Sequence, residues 1–115
     1  TDLCIAYQDI LKKHKLYATS TTGQMIEDVA NLKIHKLLAG HFGGMQQMGS
    51  KISNNEIDLL IFLQDPANKK RTPDFYNVLN LCDQYNIPCA TNLPTAEVLI
   101  LALDRGDLDW RNMYK

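Results

Sequence analysis

The feature that most constrains the fold is the segment 57–63, IDLLIFL, which is almost continuously apolar. Strands with one solvated face alternate apolar and polar residues, whereas strands covered by helices on both faces are apolar throughout. This segment therefore predicts the central strand of a parallel sheet, followed by a turn over residues 64–73.

Strand and helix patterns alternate over the rest of the chain. Apolar residues at helical spacing predict helices, and short apolar segments bounded by polar or glycine-rich turns predict strands. In chain order, we expect a helix over 3–14, a strand over 15–19, a helix after the turn 20–23, a strand over 33–38, a helix from residue 45, the strand 57–63, a helix over 74–86, a strand over 87–91 and a helix over 94–103. This order predicts an α/β fold with a parallel sheet of at least four strands and helices on both faces, a Rossmann-type three-layer arrangement.

Length and charge narrow the class of protein. At 115 residues, without internal repeats or a linker, the chain is expected to form one domain, 1–115. The net charge is −1 and the dense basic run is Lys69–Arg71, so we expect no nucleic-acid partner. No segment approaches the ~18 apolar residues of a membrane span, and no signal region is present, which predicts a cytoplasmic protein without a membrane partner.

The cysteines and histidines show no catalytic or metal-binding pattern. Cys4, Cys82 and Cys89 are an odd number, lie beside apolar residues and form no CxxC motif, so they are interpreted as buried reduced thiols. His14 and His35 are interpreted as surface or strand-edge residues. Because no cluster has metal-ligand spacing, we expect no bound metal ion.

Two loops are suited to binding an anion. Ligands of open parallel sheets bind outside the carboxyl ends of the strands, where both loops are expected to lie. Thr19–Gly23 places hydroxyls before a helix, where free N–H groups and the helix dipole attract phosphate, although an ordinary helix cap is the alternative. Ala39–Gly44 either brings backbone close to a ligand or forms a tight turn. Two such loops at one edge favour inorganic phosphate or a small phosphorylated molecule as ligand.

Three side chains near these loops are candidates for chemistry. Asp65 precedes Pro66 after the central strand and is interpreted as functional, although an aspartate before proline also hydrogen-bonds its own turn. Asp74 is either a site residue or, like Thr72, a helix cap. His41 is a candidate acid, base or phosphate donor.

Many short motifs occur in the order and spacing of one known family. They are Leu16–Thr19, Thr21–Gly23, Gly43–Gly44 with Gln46–Gln47, Ile57–Asp58, Asp65–Pro66, Asn86–Pro88, Ala90–Leu93, Thr95–Ala96 and Arg105–Trp110. In these motifs, from about residue 2 to the end, the chain resembles methylglyoxal synthase.

The resemblance implies a reaction and a set of site residues. Members usually assemble as homohexamers, and they convert dihydroxyacetone phosphate to methylglyoxal and inorganic phosphate without a metal or organic cofactor. A carbon–oxygen lyase and a homo-oligomer are therefore expected. It implies phosphate binding by Thr19, Thr21, Thr22 and Gly40, and a site carboxylate at Asp65. Gly43, Gly44 and His41, the last at a position where the family has another residue, are further candidates for phosphate or substrate binding. Asp74 matches a further active-site aspartate if one residue has been deleted from the preceding loop.

The chain also departs from the family pattern at its catalytic positions. In the family an aspartate that acts as catalytic base follows the glycine pair, and here that residue is Met45, whose thioether cannot take up the proton. The family's loop histidine is replaced within Lys69–Thr72, and His41 replaces a proline. The family's first strand would lie upstream of Thr1, so we expect it, with the usual C-terminal strand and arginine, to be absent from this chain.

Two main hypotheses follow. The first is an enzyme of weak or absent activity, in which Asp65 or Asp74 serves as the base. The second is a non-catalytic domain that binds phosphate or a phosphorylated metabolite, and a subunit that pairs with an active paralogue is a third reading. Met45 and the replaced loop histidine favour the second hypothesis, while Thr19, Thr21, Thr22 and Asp65 are compatible with both of the main hypotheses.

Overall fold

Helices and parallel strands alternate along the chain. A computed structural model describes residues 2–38, 43–63 and 73–114. The elements are α1 Asp2–Ala6, α2 Gln8–Leu11, β1 Leu16–Thr19, α3 Ser20–Ala30, β2 Ile34–Leu37, α4 Gly44–Ser53, β3 Leu60–Ile61, α5 Pro73–Gln84, β4 Cys89–Ala90, α6 Leu93–Asp104 and a 3₁₀ helix Asp109–Tyr114. The α/β class expected from the sequence is confirmed. The chain divides into two compact units, Thr1–Gln47 and Met48–Lys115.

In the first unit, β1 and β2 form a parallel pair whose carboxyl ends lie side by side. The register runs from Leu16 opposite Ile34 to Thr19 opposite Leu37. Helix α3 follows β1 without a loop and packs against both strands. Gly23 allows that packing, because a Cβ there would lie only 3.1 Å from Ile34 Cγ2.

Helix α3 is fixed at its end and along its length by polar contacts. Asn31 follows it in the left-handed region, at φ 53°, and its N–H donates to the Glu27 carbonyl at 3.2 Å. The Glu27 carboxylate accepts from the Ile34 N–H at 3.2 Å and from Lys36 Nζ at 2.9 Å. These bonds tie α3 to β2.

The second unit contains the parallel pair β3–β4 and most of the larger buried side chains. Leu60 lies opposite Cys89, and the Phe62 N–H donates to the Ala90 carbonyl at 2.7 Å beyond the end of β3. Phe75 of α5 meets the Phe62 ring edge-on, with centroids 5.3 Å apart. The largest fully buried side chains of the described residues lie in this core, and they are Phe75, Ile52, Ile100, Val78 and Cys82.

Arg111 organises the amino ends of β3 and β4. It comes from the 3₁₀ helix, is 2% exposed and satisfies its guanidinium entirely with protein acceptors. These acceptors are the carbonyls of Ile57, Tyr85 and Asn86 and the side chains of Asn55 and Asp58. An arginine tolerates such burial only when its charge is paired and its donors are used.

Several element boundaries differ from those expected. The helix expected over 3–14 is two short helices separated at Tyr7, whose φ and ψ of −113° and 24° interrupt the helix. The strand expected over 57–63 is reduced to Leu60–Ile61, since the Ile57 carbonyl bonds Arg111 instead of a strand neighbour. Leu63, at the end of that segment, is 45% exposed.

The three cysteines are reduced, as expected, but only one of them is buried. All three are free, and Cys82 is buried, but Cys4 and Cys89 are half-buried. The Cys82 thiol donates to Cys89, and this bond, with burial, raises the pKa of Cys82 far above the ordinary range of a thiol.

The described helices include none with the length and apolar composition needed to cross a membrane.

Candidate functional site: two helix N-termini at one strand edge

The hydroxyl-rich segment is the beginning of α3 and not the turn expected from the sequence. Thr19 ends β1 and is the N-cap residue of α3, with φ −62° and ψ 156°, but its side chain makes no cap hydrogen bond. Thr21 and Thr22 lie in the first turn and are exposed. The N–H groups of a first helical turn have no partner within the helix, so those of residues 20–22 are free to donate to a ligand.

Helix α4 begins at the same edge. Gly43 precedes it with φ 101°, which favours glycine, and its carbonyl accepts the first helical bond from the Gln47 N–H at 3.0 Å. The Gln47 side chain accepts from the Leu38 N–H at 2.6 Å, so the first turn of α4 lies beside the residue that follows β2. Gly44, the first residue of the helix, is buried.

The positive ends of α3 and α4 are therefore brought to the carboxyl edge of the β1–β2 pair. Each N-terminus carries the equivalent of roughly half a positive charge. Acidic residues are common in first helical turns because they compensate that charge, yet neither α3 nor α4 has one there. Uncompensated N–H groups with neighbouring hydroxyls form a site suited to a phosphate group.

Met45 is the second residue of α4 and is half-buried. It therefore lies in the first turn of one of the two helices that define the site. A thioether is a weak hydrogen-bond acceptor and does not take up a proton near neutral pH, so this position contributes packing and no acid–base chemistry.

Lys36 lies one residue before the end of β2 but is held by α3. Its Nζ is 2.9 Å from Glu27 Oε2 and 3.0 Å from Gln24 Oε1. The pKa of Glu27 is lowered, first by the hydrogen bond from Lys36 and then by the one from the Ile34 N–H. The lysine is therefore committed to joining the helix to the strand.

The remaining expected site residues lie in the second unit or outside the described residues. Asp74 is half-buried in the first turn of α5, in the second unit, and follows Pro73 as a helical residue and not as the cap. Gly40, His41 and Asp65 lie outside the described residues, as does the basic run Lys69–Arg71. Within the described ranges, no group of three or more His, Cys, Asp or Glu residues is placed to hold a metal ion.

The structural roles of two residues, Gly23 and Arg111, were not predicted from the sequence. Gly23 was assigned to a ligand loop, but it lies on the buried face of α3, where the absence of a side chain lets the helix pack closely against β2. Arg111 was not singled out at all. Its ion-pair partner Asp58 was the available signal, because a carboxylate inside the most apolar segment of the chain calls for a cationic partner.

Comparisons with known proteins agree on one family. The family model described as the MGS-like domain matches residues 1–91. The methylglyoxal synthase of Caldicellulosiruptor saccharolyticus is 54% identical over 110 residues, which are 95% of this chain and 78% of that protein. The methylglyoxal synthase of Clostridioides difficile is 51% identical over 113 residues, covering 97% and 82% respectively.

A solved structure gives the same result for the fold. The crystal structure of methylglyoxal synthase from Elizabethkingia anophelis NUHP1 superposes with a TM-score of 0.76 at 33% identity. The match covers 86% of this chain and 66% of that one, so the chain spans about two thirds of the length of the solved relative. With more than half of its residues matched by the family model and about half identical to several members, the chain belongs to the family of MGS-like domains.

Proposed function

We propose that this domain binds the phosphate of a small phosphorylated molecule at the carboxyl edge of β1 and β2, and that it is a methylglyoxal synthase-like protein of weak or absent catalytic activity. One observation carries the binding proposal: two helix N-termini without acidic compensation begin at that edge, one with Thr19, Thr21 and Thr22. The family's members named methylglyoxal synthase support a phosphorylated ligand.

The catalytic part of the proposal depends on a missing base. In the family reaction a carboxylate removes a proton beside the ketone of dihydroxyacetone phosphate, an enediolate forms, and phosphate leaves from the adjacent carbon. Helix N-termini stabilise the phosphate as it departs with its charge. The proton still needs an acceptor, and Met45 provides none, which leaves Asp65 and Asp74 as the carboxylates that the resemblance assigns to the site.

Met45 also favours a second candidate function, a non-catalytic sensor of phosphate or of a phosphorylated metabolite. The groups that hold a phosphate are the helix N-termini and hydroxyls, and they do not depend on the residue at position 45. The domain then responds to ligand concentration without consuming the ligand. A role as a subunit beside an active paralogue, and assembly as a homohexamer, remain predictions from the family resemblance.

Binding is tested by the protection that inorganic phosphate gives against thermal unfolding. At a concentration ten times its dissociation constant, a ligand stabilises the folded state by about 1.4 kcal/mol, which raises the Tm of a domain of this size by several degrees. Thr21→Ala/Thr22→Ala is expected to remove most of that shift. Alanine is the better helix former, so the helix itself is retained.

The matched control is Ser50→Ala/Ser53→Ala, which removes two exposed hydroxyls from the other end of α4. It is expected to keep the full phosphate shift. Equal protection of the Thr21/Thr22 variant and the wild type would contradict the binding proposal. Catalysis is tested separately with dihydroxyacetone phosphate at high protein concentration, following methylglyoxal and phosphate release; turnover at the rate of an ordinary enzyme, ~10 s⁻¹, would contradict the proposed loss of activity.

A further inference from the structure

Two contacts hold the first turn of α4 against the residue that follows β2. The Gln47 Oε1 atom accepts a hydrogen bond from the Leu38 N–H at 2.6 Å, across nine positions of the chain. The Leu38 side chain lies beside Gly43, since a Cβ there would be 3.8 Å from Leu38 Cδ1. Residues 44–47 and both strands belong to the first unit, so these contacts lie within one compact body.

The Gln47 side chain acts here as a backbone carbonyl would. The parallel register of β1 and β2 ends where Thr19 lies opposite Leu37, so Leu38 is the first residue beyond it. A backbone N–H needs an acceptor, and the side-chain carbonyl of Gln47 supplies one at this position. The end of β2 and the start of α4 are therefore joined directly, by one hydrogen bond of ordinary amide chemistry.

The backbone groups of α4 that can bind an anion are separate from residue 47. The Gln47 N–H donates to the Gly43 carbonyl at 3.0 Å, which closes the first turn of the helix. The N–H groups of Gly44 and Met45 precede that bond, and groups at these positions have no acceptor within a helix. A substitution at position 47 therefore leaves these donors in the chain and changes only what holds them in place.

The acceptor at position 47 is neutral, which suits an anion site. A glutamate has the same length, could accept from the Leu38 N–H and would be stabilised by the helix dipole. Its carboxylate would also repel a phosphate group beside the same helix end. The first turn of α4 has no acidic residue. Gln47 therefore fixes the start of the helix without cancelling the positive potential that attracts the ligand.

We propose that Gln47 is a positioning residue of the phosphate site, which holds the start of α4 so that its N–H groups and those of α3 donate to the same anion. This inference rests on the proposed function, because it concerns the same site. Hydrogen bonds weaken steeply when the distance or angle between donor and acceptor departs from the optimum. Helix ends fray when nothing holds them. Without the bond to Leu38, the first turn of α4 loses its fixed place, and α3 alone holds the phosphate.

The test is an NMR titration of the whole chain with inorganic phosphate, compared between the wild type and Gln47→Met. Residue 47 is exposed, and methionine keeps the length and helix propensity of glutamine while accepting only weakly. In the wild type, the amide resonances of Thr21 in α3 and Gly44 in α4 are expected to shift with one dissociation constant.

Three changes are expected in Gln47→Met. The Leu38 amide exchanges faster with solvent, and the Gly44 shift at saturation shrinks while the Thr21 shift remains. The dissociation constant for phosphate rises by at least ~10-fold, as for the loss of one hydrogen bond to a charged group. Gln47→Ala, which introduces a stronger helix former, is expected to give the same result.

The control is Gln84→Met, the same change at the exposed last residue of α5. It is expected to leave the exchange of the Leu38 amide and the binding of phosphate unchanged. A Gln47→Met protein with the wild-type dissociation constant and the wild-type Gly44 shift overturns the inference and leaves the proposed function standing. Equal fractional losses of the Thr21 and Gly44 shifts indicate a general loss of structure and also overturn it. A wild type without phosphate-dependent shifts contradicts the proposed function itself, and this inference with it.

Discussion

Substituting aspartate for Met45 tests whether one residue separates this chain from catalysis. Position 45 is the second residue of α4 and is half-buried. Replacing a half-buried methionine side chain lowers the free energy of unfolding by about 1 kcal/mol through lost apolar burial. A carboxylate in a first helical turn raises it by about 0.3–1 kcal/mol through the helix dipole. The net change in the free energy of unfolding is therefore within about 1 kcal/mol, and the variant is expected to fold.

The expected gain in rate is much larger than the change in stability. A positioned general base accelerates proton transfer by typically ~10²–10⁴-fold. Met45→Asp places a carboxylate at the edge where Thr19 ends β1 and where the positive ends of α3 and α4 lie. We expect methylglyoxal formation from dihydroxyacetone phosphate to rise by at least ~100-fold in kcat, with a smaller change in KM, because the phosphate-binding groups are unchanged.

The control for this substitution is Met45→Asn, which has almost the same shape as the aspartate variant but no basic oxygen. Assays of kcat and KM for the three proteins separate the effect of the base from that of side-chain size. If Met45→Asp is no faster than Met45→Asn while phosphate still protects both from unfolding, the reasoning is refuted, and the defect extends beyond position 45. Wild-type turnover at ~10 s⁻¹, equal to that of Met45→Asp, would refute it in the other direction, by showing that Asp65 or Asp74 already acts as the base.

Three further predictions concern stability. Gly23→Ala is expected to lower the free energy of unfolding by about 1 kcal/mol, measured by urea denaturation, because crowding against the buried Ile34 outweighs the gain in helix propensity. Arg111→Met is expected to lower the free energy of unfolding by about 3 kcal/mol in the same assay, because methionine leaves the acceptors around residue 111 unpaired, and Arg111→Lys is expected to be intermediate. Equal stability of the methionine variant and the wild type would contradict this structural role of Arg111. Because the pKa of Glu27 is lowered by folding, its ionised carboxylate stabilises the fold at pH values above its unfolded-state pKa of about 4.3. This stabilisation is lost as the pH falls through the folded-state pKa. The difference in urea midpoint between wild type and Glu27→Gln should therefore be present at pH 7 and shrink at pH 3.

The alternation of strands and helices could be predicted because it depends on local periodicity. The strands at Leu16–Thr19 and Ile34–Leu37 lie within one or two residues of the expected segments. The helical start at Ser20 could not be predicted in the same way, because Ser, Thr and Gly are poor helix formers and their sequence resembles a turn. Packing of Gly23 against Ile34 decides in favour of the helix, and that contact depends on tertiary structure.

The role of Arg111 shows a different limit of sequence reasoning. Its partner Asp58 is 53 residues away in the chain, and nothing in the local pattern around residue 111 connects the two. The same bonds shorten β3 and β4 by occupying the carbonyls of Ile57 and Asn86. Hydrophobicity alone predicted longer strands because it does not register competition for backbone acceptors.

The cleft at the amino ends of β1 and β2, lined by His14 and His35 among others, also depends on pairing that the sequence does not show. His14 and His35 were interpreted as surface or strand-edge residues, and each is exposed. They are brought to one cleft because β1 and β2 are parallel, so that the segments preceding both strands meet at the same edge. A charge pattern spread over three segments becomes visible only once that register is known.

Binding and catalysis are separable at the carboxyl edge for a physical reason. The helix N-termini and hydroxyls already contact the phosphate in the bound substrate, and these ground-state contacts set the affinity independently of the base. The base acts only on the proton beside the ketone, so its loss lowers kcat and leaves ground-state binding intact. A chain that keeps Thr19, Thr21 and Thr22 but carries Met45 is therefore expected to change from an enzyme to a receptor of the same ligand, with its affinity preserved. Dissociation constants for phosphate that are equal in the wild type and Met45→Asp, beside a large difference in kcat, are the result that this argument requires.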